Sequence, residues 1–311
     1  MIVIIGGGFT GLGIAYALKE SGFENFLLLE KNTKILAETS ANSMRLVHSG
    51  VRELQKLNLL RWKKLSRNKA ELLKLFPFFK PIQFLFKSPK YLKLAPNILL
   101  ECFGLKKINQ NSESLICWED GFLSNLEFAR DFFINAFKGK IMLESEVREL
   151  SSNSKSVTVV TSSTALQAST VILACFGSDL MSSFDKIYAW NLITKNYSKP
   201  PHKAYGEFLN GRALLFIDRG EELAVGTWYS RSFPDLPLIE KAKQEALSFC
   251  KAFTDLSSYE LEVGIIPAVQ GRQIEEPVVL QKNNIVEVYA AKFTTFLLVG
   301  RQIVSLLQSR L

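Results

Sequence analysis

Cysteine is sparse in this 311-residue chain, and its four copies (Cys102, Cys117, Cys175, Cys250) never fall in a C-x-x-C pair. That excludes a disulfide framework and a structural zinc site, and it fits a reducing cytoplasm. No metal is expected. No uncharged apolar run approaches the length of a bilayer span. The opening Met1-Ile2-Val3-Ile4-Ile5 has no basic flank and too short an apolar core for a signal peptide. A cytoplasmic protein is therefore expected. Internal repeats and low-complexity tracts are also missing. What the chain does have is material for a sizeable core. Apolar residues make up 47% and charged residues 22%, a globular composition, and the length favours two domains.

The net charge of +8 is local. Between Lys56 and Lys93 there are eleven Lys or Arg against one acid, Glu71, so the remainder of the chain is slightly acidic. This basic, Phe-rich stretch allows three roles: lining a substrate entrance, lying on an anionic membrane or meeting a quinone, and binding nucleic acid. The plainer alternative is a solvated basic helix face whose phenylalanines belong to the core. No nucleic-acid-binding motif accompanies the charge, so nucleic acid is not expected as a partner.

The first thirty residues carry the strongest signal. An apolar run at 1–5 reads as a buried parallel strand. It ends in Gly6-x-Gly8-x-x-Gly11, and a helix follows over residues 10–21, closed by Gly22. A second buried strand at 26–29 is stopped by Glu30 and Lys31. In this context the glycines have separate tasks. Gly6 makes the tight turn, Gly8 admits a pyrophosphate to the backbone, and Gly11 lets helix and sheet pack closely. The helix N-terminus offers N–H groups and partial positive charge to phosphates. Glu30 can accept hydrogen bonds from both ribose hydroxyls and would repel a 2′-phosphate, which disfavours NADP. The fingerprint alone leaves FAD and NAD open.

Further along, residues 44–75 read as one or two helices, and 76–105 as irregular structure with short helices. Asp120-Gly121 reads as a turn, and 126–137 as a helix. Period-two segments at 157–160 and 170–174 read as strands. Strands at 213–217 and 223–227 flank a turn at Asp218-Arg219-Gly220. A helix at 238–253, strands at 259–266 and 285–289, and a last helix at 294–308 follow.

Four segments then point to one family. Leu46-Val47-His48-Ser49-Gly50-Val51-Arg52-Glu53-Leu54 resembles the "LIHGGLRYL" stretch of FAD-dependent glycerol-3-phosphate dehydrogenases. Ala290-Ala291-Lys292-Phe293-Thr294-Thr295-Phe296 is similar to their "GGKLTTY". Residues 60–86, with Leu-Phe-Pro-Phe-Phe-Lys-Pro at their centre, resemble the segment ending in "PHLVRPLPFL". Residues 171–179 resemble the "ATG-x-W" strand of the wider D-amino-acid-oxidase-like flavoenzymes. The matches fall in the family's order and reach from residue 1 to about residue 300.

The resemblance implies an α/β fold: an FAD-binding Rossmann-like domain with a parallel sheet, interleaved with a smaller antiparallel β substrate domain. The FAD domain would comprise residues 1–75, 118–185 and 270–311, and the substrate domain residues 76–117 and 186–269. FAD is the implied cofactor, bound by Gly6, Gly8, Gly11, Glu30, Lys31, Ser40, Ser43, Gly177, Lys292, Phe293 and Thr294. The implied activity is hydride transfer from a C–H beside an amine or hydroxyl of a small substrate. Lys292 and the last helix would stabilise charge on the reduced ring. Arg52 would contact an anionic group. His48, one of two histidines, would be a base or a flavin contact, with a hydrogen-bonded structural histidine as the plainer alternative.

The departures are informative. Gly264-Ile265-Ile266-Pro267 aligns with a "G-x-R-P" element whose arginine contacts substrate, so Ile266 stands at that position. Arg272 is the nearby candidate replacement. Glu53 replaces a tyrosine, Ala290-Ala291 replace two glycines, and the family's long C-terminal helical cap is missing. Losing a bidentate anion partner makes glycerol 3-phosphate an unsafe assignment. Two other classes remain: an FAD-binding protein without turnover that acts as an interaction partner, and an NAD-using reductase without flavin. A single G-x-G-x-x-G weakens the second.

Overall fold

The structure, a computed structural model, describes residues 1–50, 53, 58–87, 97–110, 113–181, 183–209, 212–270, 272–290 and 293–309. The run Ile-Val-Ile-Ile forms β1 (Ile2–Ile5), buried at every position as a strand covered on both faces must be. On one side it pairs in parallel with β2 (Phe26–Leu29), on the other with β11 (Thr170–Leu173). The sheet is completed by β7 (Ile141–Met142) beyond β2, and by β19 (Ile285–Tyr289) and β18 (Val278–Lys282) beyond β11. Only β18 runs antiparallel. The sheet therefore joins strands from the two ends of the chain.

Between β1 and β2 runs α1 (Phe9–Glu20), which packs on α6 (Phe296–Gln308). Glycines face each other at the crossing. A Cβ on Gly13 would meet Phe296 Cδ2 at 2.5 Å, and one on Gly300 would collide with the Gly13 carbonyl oxygen. Neither backbone can retreat from a packed core. Gly300→Ala should accordingly lower stability by about 1–3 kcal/mol. Urea melts read this directly, and an unchanged midpoint would show that the helices are not in this close contact.

A second sheet is the antiparallel meander β8 (Val147–Ser152), β9 (Val157–Thr161), β10 (Ala165–Ala168). The third has the order β17 (Arg272–Gln273), β16 (Glu260–Val269), β12 (Asp185–Thr194), β15 (Leu223–Ser230), β14 (Arg212–Asp218), β13 (Ala204–Leu209), β4 (Phe79–Lys87), β6 (Glu113–Leu123), β3 (Leu46–Val47). β5 (Lys106–Gln110) also pairs with β6. All its pairings are antiparallel except β13 with β4. This sheet has ten strands against six in the Rossmann sheet. It belongs to the α/β arrangement expected. α5 (Leu236–Cys250) is capped by the Asp235 side chain, which accepts from Leu238 N–H. It covers the stacked, buried pair Trp190 and Trp228, and Trp228 Nε1 donates to Glu245 at 2.9 Å.

Several expectations need correction. Leu46–Val47 is a strand rather than helix, and the helix of that region is α2 (Leu59–Leu75), capped by Asn58. Residues 79–87 form a nine-residue strand rather than irregular structure. Of the short helices expected there, α3 (Asn97–Cys102) is present. Asp120-Gly121 lies inside β6 and makes no turn. Gly121 is needed because a Cβ there would sit 2.9 Å from Cβ of Val47, its antiparallel partner on β3. α4 (Leu126–Ala136) matches its expected helix. In the basic stretch, Phe76, Phe78, Phe79, Phe84 and Phe86 are all buried, while Lys63, Arg67, Lys74 and Lys80 are exposed. Phe9, Phe76, Phe78, Phe79, Phe133 and Phe296 build one core cluster under the Rossmann sheet.

Candidate functional site

The glycine turn forms as its sequence requires. Gly6 has φ +112°, and its N–H donates to Leu29 O at 2.8 Å. A Cβ on Gly6 would lie 2.7 Å from Ala174 O, and one on Gly11 would overlap the Gly6 carbonyl oxygen. Gly8 is the N-cap of α1, with no side chain capping it. A Cβ on Gly8 would come within 3.0 Å of Ser40 Oγ, and Phe9 N–H donates to that same oxygen at 3.1 Å. Ser40 thus closes one wall of the helix N-terminus, where the remaining first-turn N–H groups suit an anion.

The Glu30 carboxylate is buried and held. One oxygen accepts from Gly7 N–H at 2.7 Å, and the other from Asn32 N–H at 2.9 Å and Asn32 Nδ2 at 2.7 Å. Its neighbour Lys31 turns outward to Glu38 at 2.7 Å, and the hydrogen bond it donates to that carboxylate raises the ammonium pKa. Gly177 (φ +105°) accepts from Lys186 Nζ at 2.9 Å and lies against the Ile265 side chain.

Ser43 lies apart from the glycine turn's hydrogen bonds. Its Oγ accepts from Arg45 N–H, and its carbonyl accepts from Arg219 at 2.6 Å. Arg219 is the centre of a buried network. Its guanidinium donates to Glu222 at 2.7 Å and to both Glu262 oxygens at 2.9 Å. Arg45 stands 3.5 Å from Glu222 and 3.9 Å from Glu262. Burial lowers the Arg219 pKa, but the two carboxylates more than offset it, so the net direction is up.

The segment before α6 reaches back to the glycine turn. The Phe293 ring meets Phe9 edge-on at 4.5 Å, and buried Thr294 donates through Oγ1 to the His48 carbonyl at 3.3 Å. His48 Nδ1 in turn lies 3.1 Å from Asp120 Oδ2, while Ser49 N–H donates to Oδ1 at 2.6 Å. Burial pushes the Asp120 carboxyl up, but the His48 and Ser49 hydrogen bonds and the His48 charge hold it below the ordinary range. A depressed pKa contributes stability that is complete above the unfolded value, about 3.9, and lost as pH falls through the lower folded value. Asp120→Asn should therefore flatten the decline of unfolding free energy on the acid side of about pH 4. Urea melts over a pH series test this, and parallel profiles for the two proteins would contradict it.

Arg52 and Lys292 lie outside the described residues, as does the Arg272 side chain. Asp120 is the site residue that sequence reading missed. In the sequence it stands in Glu119-Asp120-Gly121, directly after the apolar run Leu115-Ile116-Cys117-Trp118. Among the described residues there is no cluster that could hold a metal, and no helix is long and apolar enough to cross a membrane.

The features that fit an adenine dinucleotide are the side-chain-free turn at Gly6–Gly8, the open N-terminus of α1 and the fixed Glu30. Ser49 Oγ is buried with no hydrogen-bond partner among the described residues.

The family model of FAD-dependent oxidoreductases named DAO matches residues 1–306. Among solved structures, glycerol-3-phosphate dehydrogenase from Bacillus halodurans, complexed with FAD, is similar at TM-score 0.72 and 16% identity, with 99% of this chain covered. This chain spans 64% of that protein's length. Glycine oxidase from Bacillus cereus ATCC 14579 is similar at TM-score 0.71 and 16% identity, covering 100% of this chain and 95% of that one. L-amino acid deaminase from Proteus myxofaciens, in complex with anthranilate, has TM-score 0.72 and 14% identity, covering 100% and 90%. At such identities the likeness is one of fold. No curated protein matches the sequence. The family match, spanning nearly the whole chain and agreeing with the glycine turn and Glu30, makes FAD the cofactor and places this chain in the DAO family of FAD-dependent oxidoreductases.

Proposed function

We propose that this protein oxidises a C–H bond beside an amine or hydroxyl of a small substrate. The observation that carries the reading is the meeting of three segments far apart in sequence. The glycine turn, the loop at 46–50 and the approach to α6 are joined by the Phe9–Phe293 contact and the Thr294–His48 hydrogen bond. FAD, when bound, supplies a two-electron acceptor. The chain binds and orients it through Gly6, Gly8, Gly11 and Glu30, with Lys31, Ser40, Ser43, Gly177, Phe293 and Thr294 along its length. Lys292 and the N-terminus of α6 stabilise the negative charge that the hydride brings. Arg52 contacts an anionic group of the substrate, and His48 takes the hydroxyl or amine proton. Ile266, at the position of the dehydrogenases' arginine, supports a substrate other than glycerol 3-phosphate.

The division of the chain follows the same reading. Residues 1–75, 118–185 and 270–311 serve FAD, and 76–117 and 186–269 serve the substrate. Two strands cut across this division: β3 and residues 118–123 of β6 lie in the FAD segments yet pair into the ten-stranded sheet.

The test is an absorbance spectrum of purified protein reconstituted with FAD, then anaerobic titration with a panel of amines and hydroxy acids. Flavin uptake followed by bleaching with a panel member is the expected result. Failure to take up FAD overturns the reading altogether. Uptake with no bleaching leaves the non-turnover interaction protein.

A further inference from the structure

Asp120 is a buried acid in a strand, and its two oxygens serve the loop that carries His48. It is 1% exposed, while the His48 side chain is 42% exposed. Oδ1 accepts from Ser49 N–H at 2.6 Å and Oδ2 faces His48 Nδ1 at 3.1 Å. An ionised carboxylate can only accept hydrogen bonds. Nδ1 must then carry the hydrogen, and Nε2, across the ring from Asp120, keeps a free lone pair. Two further contacts hold the loop. Thr294 Oγ1 donates to the His48 carbonyl, and Ser66 Oγ on α2 donates to the Ser49 carbonyl at 2.7 Å. The imidazole is fixed on its buried side and open on the other.

We propose that Asp120 is the positioning residue that locks His48 in its Nδ1–H tautomer and so makes Nε2 the proton acceptor for the substrate. This rests on the oxidation reading above. In the step, the substrate C–H bond breaks and its electron pair leaves with the hydrogen as hydride, accepted by FAD. The neighbouring O–H or N–H bond breaks, its proton forms an N–H bond at Nε2, and its electron pair completes the C=O or C=N double bond. The substrate loses two electrons and FAD gains them. The imidazolium that results lies against the Asp120 carboxylate, which stabilises it as it forms.

With only two histidines in the chain, the tautomer can be observed directly. FAD-reconstituted, 15N-labelled protein is examined by long-range 1H–15N correlation at about pH 8.5, where an ordinary imidazole is neutral. His202→Gln assigns the signals. His48 should show a protonated Nδ1 and a bare Nε2. Asp120→Asn should shift the ratio of tautomers about tenfold or more, the worth of a charge-assisted hydrogen bond. With a panel substrate, Asp120→Asn should slow flavin reduction about 10²-fold and leave FAD uptake unchanged. Adding it to His48→Gln should cost nothing further. An Nε2–H tautomer in the unaltered protein overturns the proposal without need of any variant. A double variant slower than His48→Gln alone also overturns it. A panel in which nothing reduces the flavin overturns the oxidation reading instead, whatever the tautomer.

Discussion

Replacing Gly11 with alanine should weaken the binding of FAD by about 10²-fold. The added methyl would fall on the Gly6 carbonyl oxygen, and that oxygen cannot retreat. Gly6 is held by its N–H on Leu29 and by a left-handed φ, with Ala174 O filling the space where its own side chain would be. Relief must come from moving α1 off the sheet. Overpacking of this kind costs about 1–3 kcal/mol, and the displaced helix N-terminus also loses its aim at the phosphates. Fluorescence titration of FAD reads the change. An affinity within about threefold of the parent's, against the tenfold that 1.4 kcal/mol brings, would mean that cofactor binding does not depend on this contact.

Arg219→Met should cost about 3–5 kcal/mol of stability, because it strands Glu222 and Glu262 without their cation. The guanidinium is 1% exposed and the two carboxylates 22% and 17%, so water can only partly replace it. Arg45 alone remains, at longer distances. Glu262→Gln in the same protein should restore part of the loss, since it removes one of the stranded charges. Chemical denaturation of the two variants decides. A single variant within about 1 kcal/mol of the parent would show that the network behaves as a solvated surface pair. Because Arg219 also donates to the Ser43 carbonyl, the variant should loosen the loop that brings Ser40 to the N-terminus of α1.

The Rossmann half of the fold was legible because its signals are local. A run of four buried residues, three spaced glycines and a carboxylate at the end of the next strand all lie within thirty residues. The same holds for β19 and α5, where period and capping residues suffice. β4 was not legible because its residues 84–86 are covered on both faces. Phe84 packs on one side with Phe86 and Phe122, and Leu85 on the other with Leu115 and Cys117, so no alternation shows. Asp120-Gly121 looked like a turn because its residue types favour one. In fact the glycine makes room for Val47, and the acid answers a histidine seventy-two positions away. Arg219 was placed in its turn between β14 and β15, but nothing local indicates that its side chain points inward to Glu262 on β16. Distance along the chain hid the Asp120–His48 and Arg219–Glu262 pairings, and at Asp120-Gly121 the residue types misled as well.

The close crossing of α1 and α6 has a consequence for how the protein is made. In the nascent chain α1 ends at residue 20, while the partners β19 and α6 begin at residues 285 and 296. At roughly 5–20 residues per second, about 15–55 s of translation separate the two. Throughout that interval the glycine face of α1 is uncovered, and once residue 173 has been made so is the outer edge of β11, a template for wrong pairing.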